Sequence, residues 1–311
     1  MTRTLIPPAQ LASLVREICE LEIRAFKPGN VSLESAGHGM QAAHFLQSAE
    51  AIAAPISRVG ASVGERILDS VVATQAVAGC NTNLGIVLLL APLVHATLAQ
   101  TPQLGLRART RQVLVALDVE DARKAYAAIR LAAPGGLGSS DRHDVGEPPT
   151  VTLLAAMDAA SGHDRIACQY ATGFGDVFDF GLPLAGRALQ RYASAEWAAV
   201  AVYLAWLSRF PDTHIVRKHG AALAESVRKE AVVIESAFDT ASCPEDVLPL
   251  LRSFDASLKL RAINPGTSAD LTVASLAAWH LQEVLDHTID GRSASLAEQP
   301  LSPAGHDPRV F

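Results

Sequence analysis

The chain has 311 residues, 49% hydrophobic and 19% charged, a globular composition without the signature of disorder. Its formal net charge of −6 excludes the basic footprint of a nucleic-acid binder. The opening MTRTLIPPAQ lacks a signal-peptide core, and the longest apolar run, 84–94, is too short for a membrane span of about twenty residues. A cytoplasmic protein with neither membrane nor nucleic-acid partners is expected. Cys19, Cys80, Cys168 and Cys243 are too scattered for a zinc site and read as buried free thiols in a reducing compartment.

Taken in chain order, the elements are helical. PPAQLASLVREICELEIRAF opens on prolines suited to a first turn and repeats Leu11, Leu14, Val15, Ile18 and Leu21 at helical spacing. KPGNVS, 27–32, follows it. Pro28 and Gly29 stop the helix and Lys27 suits its negative end, or Lys27 takes a phosphate and Asn30 a ribose or base. His38, between glycines, reads as an exposed loop residue. HFLQSAEAIAAPI is the next helix, and Glu65 with Asp69 on the one after reads as solvated surface.

GCNTNLG, 79–85, sets three polar side chains before the apolar helix 84–98. Asn81 or Thr82 can cap it. Capping needs only one such residue, and a helix N-terminus also receives anions, so Asn81 and Asn83 are candidates for a phosphate or sugar hydroxyl. RQVLVALDV reads as strand or helix equally well, and VEDARKAYAAIRLAA reads as a helix.

PGGLGSSDRHDVGEPP, 134–149, is a long loop whose Gly135, Gly136 and Gly138 permit close approach to a ligand. Its Asp141, His143 and Asp144 suit a metal or proton transfer, or an exposed turn. No strand precedes the glycines, so no dinucleotide fingerprint is present. Segment 150–161 is helical. In GFGDVFDFG, Asp176 and Asp179 share a helical face amid Phe174, Phe178 and Phe180, a setting that raises carboxyl pKa values unless a cation balances them.

Segments 195–210, 213–238, 245–261 and 269–288 read as further helices. PDTHIVRKHG, 211–220, offers Asp212 as an N-cap and His214, Arg217 and Lys218 for a polyphosphate, or a solvated helix end. NPGTSADLT, 264–272, turns at Pro265 and Gly266. Thr267 or Ser268 caps the next helix, or the 266–268 turn cradles phosphate, and Asp270 falls in the first turn. The chain is therefore expected to be all-α, one multi-helix array over 1–290 with its site in the inter-helix loops, followed by an irregular extension over 291–311.

KPGNVS, HFLQSA, NTNLG, PDTHIVRKHG and NPGTSADL, in this order, resemble the triphosphoribosyl-dephospho-CoA synthase (CitG-like) family. The resemblance implies an all-α fold and a Mg²⁺-assisted reaction that joins ATP to 3′-dephospho-CoA and expels adenine. It covers roughly residues 15–285. The family reads Asn-Thr-His-Lys-Gly where this chain has Asn81-Thr82-Asn83-Leu84-Gly85, and an Asp where it has Ser32. GGLG, HDV and IACQYATGFGDVFDF resemble the branch found in organisms that carry one-carbon units on tetrahydromethanopterin. These departures bear on the acceptor rather than on pentosyl transfer.

On this reading the chain is a transferase that moves a phosphorylated ribosyl group from ATP or a related donor to a coenzyme-like acceptor. Asp212, Asp176, Asp144 and His143 are the candidates for acid–base and charge-stabilising roles. Lys27, Asn30, Asn81, Thr82, Asn83, His214, Arg217, Lys218, Gly266, Thr267 and Ser268 are candidates for substrate and phosphate, and Asp141, Asp179 and Asp270 for Mg²⁺. A homodimer is compatible with it. The alternatives are another step in tetrahydromethanopterin-type carrier synthesis and a non-catalytic nucleotide-binding scaffold. Prenyl transfer is disfavoured, because neither DxxD pair has the adjacent second Asp.

Overall fold

A computed structural model describes residues 6–99, 101 and 103–289. Fourteen α-helices run through the described residues: α1 Pro8–Arg24, α2 Ala42–Ser57, α3 Val63–Ala78, α4 Leu84–Leu98, α5 Leu106–Ala116, α6 Val119–Ala132, α7 Leu153–Ala160, α8 Arg165–Ala171, α9 Leu182–Arg191, α10 Ala195–Arg209, α11 Thr213–His219, α12 Ala221–Thr240, α13 Leu248–Leu260 and α14 Gly266–Ile289. The only β pairing among them is an isolated bridge, Gly37 with Met40. The expected extension 291–311 lies outside the described residues.

Three helices form the centre. α4 buries twelve of its fifteen residues and α10 eleven of its fifteen, so neither can present a polar face to water, and both must be surrounded. α14 packs against both of them. The amphipathic helices close around this core: α1 on α2, α2 on α3, α3 on α6, and α12 on α10. Among the described residues no helix is long and apolar enough to cross a membrane.

Several expectations change. RQVLVALDV is helical through Ala116, its apolar positions Val113 and Leu114 turned inward. The helix expected over 213–238 is two, because Gly220 takes φ +90° and breaks the chain between α11 and α12. The thiols are unpaired, but Cys243 is exposed and only Cys19 is buried.

Candidate active site

The loops that start or end α1, α4, α6, α8, α11 and α14 meet around a cavity of about 390 Å³, within the range of small-molecule sites. Its walls are apolar along α4, α6 and α7, where Leu88, Ile129 and Met157 face it, and polar along the loops.

The 81–83 triplet on the α4 wall is fully engaged through its side-chain oxygens. Neither Asn81 nor Thr82 is the N-cap: that position is Asn83, which makes no side-chain cap bond, while Asn81 Oδ1 accepts from Leu84 N, the first amide of α4, at 3.1 Å. Thr82 Oγ1 donates to Ser48 Oγ of α2, and Asn83 Oδ1 accepts from Thr74 Oγ1 of α3. The two asparagines keep their NH₂ groups as donors on the cavity wall. Leu84, where the resemblance implies a lysine, is buried against the same wall.

α11 and α14 are locked together at their N-termini. Asp212, 2% exposed, caps α11 through Ile215 N and also accepts from Ser268 N at 2.7 Å and Ser268 Oγ at 2.8 Å. Burial raises its carboxyl above the usual range despite those bonds. His214 N donates to Thr267 Oγ1, whose neighbour Gly266 leaves room for the imidazole: a Cβ there would lie 2.4 Å from His214 Nδ1. Burial, then the Lys218 and Arg217 cations, drives the His214 ring down to about 3, so it is neutral. Its Nε2 is buried without a partner among the described residues.

The glycine-rich loop rests on α11. Arg217 Nε donates to Gly135 O, and its NH1 lies 3.6 Å from Asp164, the cap of α8. Gly136, at φ +75°, lies against Arg217. Asp144 Oδ2 and Oδ1 accept from Ser140 N and Gly146 N, which hold its carboxyl below the usual range. An anion so held makes a weak base near neutral pH. Tyr126 Oη donates to His143 O, tying the loop to α6. Asp144, His143 and Lys218 all face the cavity.

Deeper lie Glu22, Asn30 and Asp270. Gly29, at φ +85°, passes so close to Pro265 that a Cβ would lie 2.7 Å from its Cδ. This approach lets Asn30 Nδ2 donate to Asn264 Oδ1 at 2.5 Å. Gly85 makes room for Asp270, whose Oδ2 would lie 2.0 Å from a Cβ at that position. Burial, reinforced by the charges of Glu22, Asp212 and Asp164, pushes the Asp270 carboxyl well above the usual range.

Asn30, Asn81, Thr82, Asn83, His143, Asp144, His214, Arg217, Lys218, Gly266, Thr267 and Asp270 thus meet at one cavity. Others do not. Lys27 is wholly buried and paired with Glu22, so it is not on the wall where a phosphate would bind. Asp212 and Ser268 satisfy each other behind the wall. Asp176 and Asp179 are not a facing pair. A π-helical turn, Val177–Gly181, carries the second, Asp176 joins Arg165 at 3.0 Å, and Asp179 pairs with Arg107 in the open. Asp141 is exposed and off the wall. Hence Asp141, Asp179 and Asp270 do not form one metal cluster, and among the described residues no three His, Cys, Asp or Glu side chains do.

Glu22, His38, Arg142, His163 and Asp164 line the cavity as well. His38, expected to be an idle loop residue, makes a 2.8 Å hydrogen bond between Nε2 and Gly29 O. Glu22 and Asp164 carry no local motif. Glu22 looks like one more helix acid, and only its burial beside a lysine five residues on would have marked it.

Residues 8–288 match the CitG family model, described as ATP:dephospho-CoA triphosphoribosyl transferase. No curated protein matches the chain. Among solved structures, that of a candidate triphosphoribosyl-dephospho-CoA synthase from Archaeoglobus fulgidus is similar, at 25% identity and a TM-score of 0.57. The match covers 77% of this chain and 98% of that one.

Proposed function

The chain belongs to the CitG family of ATP:dephospho-CoA triphosphoribosyl transferases, and on that premise we propose that its cavity is where Mg-ATP and an acceptor alcohol meet. The observation that carries this reading is the convergence of donors from distant junctions. Arg217 and Lys218 of α11 stand with the glycine-rich loop on the same cavity that Asn81 and Asn83 line from α4. Cations and backbone at a glycine loop suit the triphosphate, and carboxamide donors suit the ribose. The neutral His214 offers hydrogen bonds without adding charge to the Arg217–Lys218 pair.

A Mg²⁺ ion held with the nucleotide would neutralise triphosphate charge. It keeps several waters and takes one or two carboxylates besides phosphate oxygens. Asp164, beside Arg217, and Asp144 of the glycine-rich loop would be the carboxylates at that end. Among the described residues Asp270 makes no ion pair, and burial raises its carboxyl well above the usual range, which favours proton exchange with the attacking hydroxyl.

The expected experiment is adenine release from Mg-ATP in the presence of dephospho-CoA, with loss of activity on chelation of Mg²⁺. Neither release with any acceptor nor ATP binding by calorimetry would sink the reading. Tight binding without release would favour a nucleotide-binding scaffold. A second acceptor class has one observation in its favour. Asn83 and Leu84 leave that wall without the two cationic side chains the family usually carries, so an acceptor with fewer phosphates, in one-carbon carrier synthesis, is the runner-up to test beside dephospho-CoA.

A further inference from the structure

The deep end of the cavity presents acceptors. Glu22, 6% exposed, takes Lys27 Nζ on Oε1 at 3.0 Å, and the same ammonium also donates to Glu22 O. Lys27 has no exposed surface at all. A buried ion pair is weak evidence for stability, since apolar residues of similar volume often serve as well. Its effect here is to fix, through Oε1, the carboxylate of a residue that lines the cavity. Independently, Asn30 is 5% exposed and its Oδ1 is buried without a donor among the described residues. Asp270 completes the group, with Gly85 making room for its carboxylate. A fixed carboxylate, a second carboxyl group and an orphan amide oxygen match a ligand that brings hydroxyl donors and developing positive charge, which is the ribose of a pentosyl donor and not its phosphates.

We propose that Glu22, clamped by Lys27, is the fixed anion that faces the ribose C1′ during transfer, with Asn30 Oδ1 accepting from a ribose hydroxyl. The inference rests on the transferase reading. The C1′–N9 bond of ATP breaks with its electron pair leaving on adenine. The acceptor oxygen bonds to C1′, and its hydroxyl proton passes to Asp270 and from there, through water, to adenine. Glu22 gains and loses no proton. It stabilises the cationic C1′ electrostatically.

The test uses the full chain and measures adenine release and ATP affinity together. Glu22→Gln leaves Lys27 unpaired and Lys27→Met leaves Glu22 unpaired, so both are expected to lower stability. The double variant Glu22→Gln/Lys27→Met removes both charges and recovers it. We expect the double variant to bind ATP within about threefold of the unsubstituted chain while kcat falls about a hundredfold or more. Glu22→Asp, which keeps the anion, should retain more activity than Glu22→Gln. A double variant with near-normal kcat, or equal loss in Asp and Gln, overturns the proposal. If the unsubstituted chain releases no adenine, the transferase reading itself fails and takes this inference with it.

Discussion

His214 shows how one side chain is set by its surroundings. Its ring is driven to about 3, first by burial and then by Lys218 and Arg217. An unfolded histidine takes its proton near 6.5. Between those values the unfolded chain binds a proton that the folded one refuses, so acidification through that window removes stability. Asp270 and Asp212, both raised, work in the opposite sense. Urea unfolding of His214→Gln should therefore lose less stability between about pH 6.5 and pH 4 than the unsubstituted chain. Parallel curves would show that the ring titrates freely. The same ring sets the constraint at Gly266, where a Cβ would lie 2.4 Å from Nδ1. Gly266→Ala should cost about 1–3 kcal/mol by overpacking. Because His214 would shift within the cavity, kcat/KM for ATP should also fall about 10- to 100-fold, as steady-state kinetics would report. Unchanged kinetics would remove the ring from the substrate's surroundings.

The elements were more legible than their joints. α4 and α10 are marked by length and continuous apolar character, being buried nearly all round, whereas periodicity in α1, α2, α6 and α7 could be read directly, because each buries apolar residues at helical spacing. The break at Gly220 was not, since apolar periodicity runs through it and only the backbone's φ of +90° reveals the turn. Asp212 was legible as a cap, but its second role was not. The Ser268 amide and hydroxyl that it also accepts lie 56 residues away, and nothing local marks that pairing. The carboxylate therefore holds two helix N-termini at once. Asp212→Ala should lower stability by about 2–4 kcal/mol, the sum of a lost cap and of Ser268 donors left buried. Asp212→Asn, which keeps one acceptor oxygen, should cost less. Thermal unfolding of both decides the matter. An alanine variant that melts with the unsubstituted chain would mean that α11 and α14 are held by other contacts.

At the scale of the molecule, the site joins parts that are far apart in the chain. Asn30, Asn83, Asp144, Arg217 and Asp270 arrive from five junctions. Each is an ordinary cap, turn or helix end in its own neighbourhood. Their common cavity follows from how α4 and α14 pack, with α8 and α11 set against α14. For the same reason Lys27 looked available in the sequence and is in fact sealed behind Glu22, while Glu22 itself drew no notice. A ligand that spans such a site must couple segments that share no local structure. Mg-ATP at a hundred times its Kd should stabilise the fold by about 2.7 kcal/mol. It should slow amide exchange in 134–146 and 213–219 together, because the first rests on the second through Arg217 and Gly135. Lys218→Ala isolates the phosphate end: Lys218 is exposed and makes no ion pair among the described residues. The variant should melt within about 1 °C of the unsubstituted chain, as surface substitutions do, and weaken ATP binding about tenfold through the lost charged contact. Protection confined to one segment, or undiminished affinity in Lys218→Ala, would place the triphosphate elsewhere in the cavity.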